Sequence, residues 1–252
     1  MVIFRTRNWI ALQLFLDEGE RDDERRISLF AYNRYNFHLR APVFRETFRV
    51  DREIVVQIEQ SIARYLQYSR RNNSLTPRQQ ILSTLTFIGN GAQYHANGYI
   101  HGISKATVCR CIHRVCKMIV IHLMPYYIRW PTSTIRDEAL FAEKAGFPNV
   151  KGIVDGTLIH ILAPFVDEPI YVGRDNKHSI NLMVVSGPKN QFYYASAAFP
   201  GSFHDARCIK RSSLWNMWDE RGWRPDDDVN SIILGDSAYP LRNWLIPPTI
   251  RN

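Results

Sequence analysis

Apolar residues recur along this chain in two rhythms, and the change of rhythm divides it. Between residues 52 and 122 they return every three or four positions, the spacing of one helical face. Ile54, Val55, Ile58, Ile62 and Leu66 predict a helix over 52–71, ended by Asn72-Asn73-Ser74. Thr76 followed by Pro77 opens a second helix. Proline suits a first helical position because the amide it lacks has no partner there. Ile81, Leu82, Leu85, Phe87 and Ile88 form the buried side of this helix, and Gly89-Asn90-Gly91 stops it. A short, weak helix is expected from Gly91 to Ile100, since the pair Asn97-Gly98 lowers its propensity. A turn at His101-Gly102-Ile103 leads to Ser104, which caps a long helix from Lys105 to about His122. The apolar stripe of that helix is Val108, Ile112, Val115 and Ile119, flanked by Cys111 and Met118. Pro125, Pro131 and Pro148 bracket a linker-like stretch holding a short helix from Thr134 to Ala145.

Beyond residue 150 the runs shorten and become strand-like. Gly152–Leu162, Ser179–Val185 and Phe192–Ala198 read as strands, with Asp155-Gly156 interrupting the first. Gly187-Pro188-Lys189-Asn190 joins the second and third as an antiparallel hairpin. Asp205 opens a helix to about Asp219, with Ile209, Leu214 and Trp218 as its apolar positions, and Ser231–Leu234 is a fourth strand. The fold expected is α+β. It has a poorly patterned segment over 1–51 with a charge-dense, exposed stretch from Asp17 to Arg26. A helical region follows over 52–149, and an α/β domain over 150–252.

Charge sharpens this division. The net charge is +8. Residues 1–150 hold 21 Lys and Arg against 13 Asp and Glu, whereas 151–252 hold 11 of each. Residues 60–136 carry ten basic side chains and no acidic one, the distribution expected of a surface that neutralises phosphates. A short helix, a glycine turn and a basic amphipathic helix make a helix-turn-helix pattern, with Lys105, Arg110, His113, Arg114 and Lys117 as the DNA-contacting candidates. A plain helical hairpin with solvated cations fits the same pattern. Three of the four cysteines fall within one predicted helix, poor geometry for disulfides, and their spacing matches no usual zinc site. No apolar run is long enough to span a membrane, and the first residues lack the continuous apolar core of a signal peptide.

The candidate chemistry lies in three aspartates, Asp155, Asp205 and Asp236, each at or near the end of a strand-like run. In the order β-β-β-α-β, a meander makes strand three parallel to strand one. A right-handed crossover then returns strand four parallel to both. Asp155, Asp205 and Asp236 would then share one edge, where a hard divalent cation relieves the repulsion between their carboxylates. Each aspartate has a structural alternative too, as a turn residue or a helix cap.

Four motifs occur in one order: Val154-Asp155-Gly156-Thr157, the run His178 to Val185, Pro200-Gly201-Ser202-Phe203-His204-Asp205, and Gly235-Asp236-Ser237-Ala238-Tyr239-Pro240-Leu241. Together they resemble the PIF/Harbinger transposase family and its transposase-derived nucleases, members of the DDE endonucleases. His101-Gly102-Ile103-Ser104-Lys105-Ala106-Thr107-Val108 is similar to the family's helix-turn-helix, so the resemblance spans about residues 76–245. It implies an RNase H-like α/β nuclease domain after a helix-turn-helix region, and Mg2+- or Mn2+-dependent attack on DNA phosphodiesters. In that scheme Asp155 bridges two metal ions, Asp236 holds one, Asp205 supports them from its helix, and His204 orients a phosphate or a water. It further implies residence in nucleus and cytoplasm and a Myb-like partner protein; a homodimer is a further expectation. The family places its last acidic ligand, a glutamate, on a later helix. Here 16 residues follow Asp236 and none is acidic. The expectation is a C-terminally truncated domain without its final strand and helices, binding metal weakly. A non-catalytic DNA-binding or adaptor protein is the competing reading. A small-molecule phosphohydrolase ranks lower, since its second Asp, two positions after the nucleophile, is replaced by Thr157.

Overall fold

A computed structural model describes residues 36–66 and 74–248. The Asp17–Arg26 stretch, and the far end of the first predicted helix with its Asn72-Asn73 stop, lie outside the described residues. The chain forms two compact units that meet between Leu123 and Met124.

In the first unit, α1 (Ala41–Phe48), α2 (Arg52–Ile62), α3 (Pro77–Asn90), α4 (Tyr94–His101) and α5 (Lys105–His122) follow one another. α2 stops at Ile62 and continues as a single tighter turn, Ala63–Tyr65. The start of α3 is fixed reciprocally. Thr76 Oγ1 accepts from the Gln79 amide at 3.2 Å, and Gln79 Oε1 accepts from the Thr76 amide at 2.9 Å. Phe44, Phe48, Val55, Ile62, Ile81, Leu82 and Val115 form the core.

The weak pair in α4 has a packing reason. Asn97 is fully buried, donates from Nδ2 to the Ser83 carbonyl at 2.8 Å and accepts from Ser83 Oγ at 3.3 Å, which ties α4 to α3. A Cβ on Gly98 would stand 2.6 Å from the Ile103 carbonyl oxygen, so only glycine lets the following turn pass this closely. Gly102 turns the chain with φ 62°, and Ser104 Oγ caps α5 by accepting from the Thr107 amide at 3.2 Å. Buried His101 hydrogen-bonds Thr86 Oγ1 at 2.9 Å, and burial pushes its pKa down to about 4. The imidazole therefore stays neutral in the folded unit.

The second unit is built on a five-stranded mixed sheet of order β3-β2-β1-β4-β5. The strands are β1 (Val150–His160), β2 (Ser179–Ser186), β3 (Phe192–Pro200), β4 (Ile232–Leu234) and β5 (Leu245–Ile246). β1, β2 and β3 form an antiparallel meander, and β4 returns parallel to β1, as the connectivity predicts. Three expectations need correction. β1 runs unbroken through Asp155-Gly156, paired with β2 from Ile153 to His160. The fifth strand expected to be missing is present, two residues long and parallel to β4. Finally, the helix opened by Asp205, α7 (Asp205–Lys210), ends nine residues short of Asp219, because Ser212 caps a separate turn through the Trp215 amide.

The helix Ile135–Ala145, α6, belongs to this second unit, so the junction lies before the boundary read near residue 149. Two contacts explain why. Phe141 packs against Val150 and Ile232, and Glu138 Oε2 pairs with Lys151 Nζ at 2.6 Å. Lys151 is only 1% exposed, and Asp228 Oδ2 lies 3.3 Å from the same ammonium.

Alternation along β2 separates the two faces of the sheet. Ser179, Asn181, Met183 and Val185 are buried, whereas Ile180, Leu182, Val184 and Ser186 are half-buried. The buried face continues across β1 through Val154 and Gly156 and packs against Ile209, Leu214, Trp218 and Trp244. Trp130, Trp218, Trp223, Trp244 and Trp215 form a chain of ring contacts beneath it, with centroids 5.3 to 6.0 Å apart. The opposite face is covered at its start by α6 and then presents Ile153, Asp155 and Thr157 to solvent.

Candidate active site

Register decides which aspartates can meet. Ile153 pairs with Leu234 across the parallel β1–β4 ladder. Asp155, midway along β1, and Asp236, just past the end of β4, each follow two residues later, so the register continued beyond that pair sets them level on neighbouring chain segments, whose backbones are about 4.8 Å apart. Alternation sends both toward the solvent-facing side, because Gly156 and Gly235 between them turn to the buried side. Each carboxylate is steered by one backbone amide. Gly156 N–H donates to Asp155 Oδ1 at 2.8 Å, and Ala238 N–H donates to Asp236 Oδ1 at 3.0 Å. Both side chains are exposed.

Asp205 approaches from behind. It begins α7, on the buried face, and leans over Gly156 so closely that a Cβ there would lie 2.3 Å from its Oδ1. Asn181 Nδ2 donates to that same Oδ1 at 2.9 Å and to the Phe203 carbonyl at 3.3 Å. Both partners are acceptors, which fixes the orientation of the amide. His204 occupies the N-cap position of α7; its side chain is exposed and forms no cap hydrogen bond.

The three carboxylates are therefore neighbours without forming one ligand sphere. Among the described residues, no group of three or more His, Cys, Asp or Glu side chains is arranged to hold a metal ion. The convergence expected from topology resolves into a level pair, Asp155 and Asp236, with Asp205 on the other side of the β1 backbone. All three still act on a common point, the Tyr239 hydroxyl. Burial raises the pKa of this phenol most, and the fields of Asp205, Asp155 and Asp236 then add to it in that order. The Cys208 thiol is pushed up to about 11, by burial first and then by Asp205.

Asn181 and Tyr239 are site residues that reading the sequence missed. Each is 3% exposed, and Asn181 Oδ1 and the Tyr239 hydroxyl are buried without a hydrogen-bond partner. Such orphaned groups are costly unless something else uses them. For Asn181 a signal existed: it is a polar residue at an inward position of an alternating strand. Tyr239 gave none, because its burial depends on contacts with Val154 and Gly235 far away in sequence or around a turn. The donors here are carboxylate, amide and phenol oxygens, a hard set suited to Mg2+ or Mn2+.

In the first unit, Lys105, Arg110, His113 and Lys117 are exposed on α5. Arg114, one turn on from Arg110, stands at the edge of that face. It is half-buried, and its Nη1 donates to Gln80 Oε1 on α3 at 3.1 Å. Arg110 Nη2 lies 3.2 Å from Thr107 Oγ1. All four cysteines are free thiols, and among the described residues no helix is long and apolar enough to cross a membrane.

Residues 154–251 match the DDE superfamily endonucleases. The human protein named "Putative nuclease HARBI1" is 32% identical over 183 residues, covering 71% of this chain and 51% of its own length. The Xenopus laevis protein of the same name is 29% identical over 189 residues, covering the same shares. "Protein ALP1-like" of Arabidopsis thaliana is 25% identical over 187 residues, 70% of this chain and 46% of its own. The chain thus spans about half the length of the curated relatives it matches. No solved structure matches it.

Proposed function

We propose that the chain belongs to the Harbinger transposase-derived nucleases of the DDE endonuclease superfamily, which its matches support, and that its second unit carries a divalent-metal-dependent centre for cleaving DNA phosphodiesters. The sheet order, with an antiparallel meander and two parallel strands on its far side, supports an RNase H-like domain. The observation that carries the proposal is the pairing of Ile153 with Leu234; that register, continued by two residues, supports a shared position for Asp155 and Asp236. Each of these carboxylates has Oδ1 engaged by a backbone amide, and Oδ2 is then directed away from that contact. Asp155 and Asp236 would hold Mg2+ or Mn2+. Asp205, steadied by Asn181, would support them through the local field and through water. Bound there, the cation supplies Lewis acidity to the attacking and leaving oxygens of the phosphodiester. In the first unit, α4, the turn at Gly102 and α5 support a helix-turn-helix reading, with Lys105, Arg110, His113 and Lys117 facing DNA.

Nicking of supercoiled plasmid tests the reading. The expected result is Mg2+- or Mn2+-dependent nicking that EDTA stops and that Asp236→Asn reduces to the metal-free background. Equal nicking by wild type and variant would refute it. That no three-ligand cluster occurs among the described residues supports a second reading, a DNA-binding protein without cleavage. That reading expects no nicking, together with DNA affinity that falls steeply with salt and ignores Mg2+.

A further inference from the structure

The carboxylate end of the sheet poses an electrostatic problem for the proposed substrate. Asp155 and Asp236 face a polyanion with Asp205 half-buried behind the β1 backbone, and even a divalent cation offsets only part of their charge. A phosphodiester strand held against this edge needs fixed positive charge close by. α7 carries it. Arg207, Lys210 and Arg211 are exposed on and just after this helix, which begins with Asp205, and no carboxylate pairs with them among the described residues.

Two of the three are also ordered in advance. The Arg207 guanidinium lies 3.7 Å from the centroid of the Phe203 ring, and that of Arg211 lies 5.7 Å from the same ring. Contact with a ring face holds an arginine by cation–π attraction and leaves its in-plane N–H donors free. Those donors are the ones that bind phosphate oxygens, often two at a time. The platform is tied to the Asp205 carboxylate by a single amide, since Asn181 Nδ2 bonds both the Phe203 carbonyl and Asp205 Oδ1. The distance between platform and Asp205 is therefore set by the fold and not by long flexible side chains.

We propose that Arg207, stacked on Phe203, and Arg211, near the same ring, assisted by Lys210, form a backbone grip that seats a DNA phosphodiester strand at the Asp205 side of the candidate site. This inference rests on the cleavage reading for its substrate but concerns different residues. The grip is independent of base identity, because it meets only phosphates.

Binding of a labelled DNA oligonucleotide by the full chain, followed by fluorescence anisotropy in EDTA across a salt series, tests it. R207A/R211A is expected to bind roughly tenfold more weakly near physiological salt, with a plot of log K against log salt shallower by about 2, one phosphate for each arginine lost. R207K/R211K keeps the charges and should restore the slope. Phe203→Leu also keeps the charges but loses the platform, and should weaken binding without changing the slope. Affinity and slope unchanged in R207A/R211A would overturn the grip. So would an R207K/R211K protein that matches the alanine variant while melting like wild type. Mn2+ titration separates the two ideas. If Asp155→Asn leaves the Mn2+ heat intact while R207A/R211A loses the salt slope, the grip survives and the cleavage reading fails. The reverse pair of results removes the grip alone.

Discussion

Replacing Gly156 with Ala is expected to weaken Mn2+ binding about 10- to 100-fold, the usual loss when a group that supports metal ligands is displaced, while the melting temperature changes little. The reason is space. A Cβ at this position would come within 2.3 Å of Asp205 Oδ1 and 2.9 Å of Asp205 Cγ. The short Asp205 side chain can rotate away, but only by breaking its 2.9 Å bond from Asn181. Asp155 shares the same stretch of backbone and the same amide, so its steering shifts as well. Calorimetric Mn2+ titration and a thermal melt of the variant check this. Wild-type affinity with a normal melt would show that Asp205 has no part in cation binding.

The largest expected effect on stability falls on Lys151. Lys151→Ala is expected to cost about 3 kcal/mol, the lower end of the range for breaking a buried ion pair. Its ammonium lies between Glu138 and Asp228 and is almost wholly withdrawn from solvent, with 2% of the side chain exposed. Removing it leaves two carboxylates facing each other and leaves α6 held to β1 chiefly by the packing of Phe141 on Val150. Those carboxylates are 26% and 29% exposed, so partial hydration holds the cost near the lower end. Lys151→Met retains the packing of the stem and should lose less than the alanine variant. Urea unfolding of both variants measures the difference, and a shift under about 0.5 kcal/mol for Lys151→Ala, the scale of an ordinary surface change, would contradict this account.

Local signals in the sequence carried far when the determining contacts were local. Thr76-Pro77 marked the start of α3 because the cap and its partner Gln79 are three residues apart. The alternation from Ser179 to Val185 marked β2 and its two faces for the same reason. What stayed hidden depended on distant partners. Asp155-Gly156 resembles a turn, yet the glycine serves the approach of Asp205, 49 positions later. Lys151 resembles an exposed strand residue until Glu138 and Asp228 are seen around it. Arg114 shares spacing with Arg110, but helical spacing alone does not say that α3 lies against it with Gln80. β5 is only two residues long and owes its existence to the edge that β4 offers. The candidate site was legible as three aspartates. Their division into a level pair and a supporting carboxylate was not, because the pleat of one continuous strand decides it.

The central claim is that Asp155, midway along β1, and Asp236, just past the end of the parallel strand β4, bind a divalent cation together. Calorimetric titration of the full chain with Mn2+, beside the single variants Asp155→Asn and Asp236→Asn, measures this most directly. The account predicts saturable heat in the wild type and its loss in each variant, with unchanged melting in metal-free buffer. Heat that persists undiminished in both variants would contradict it.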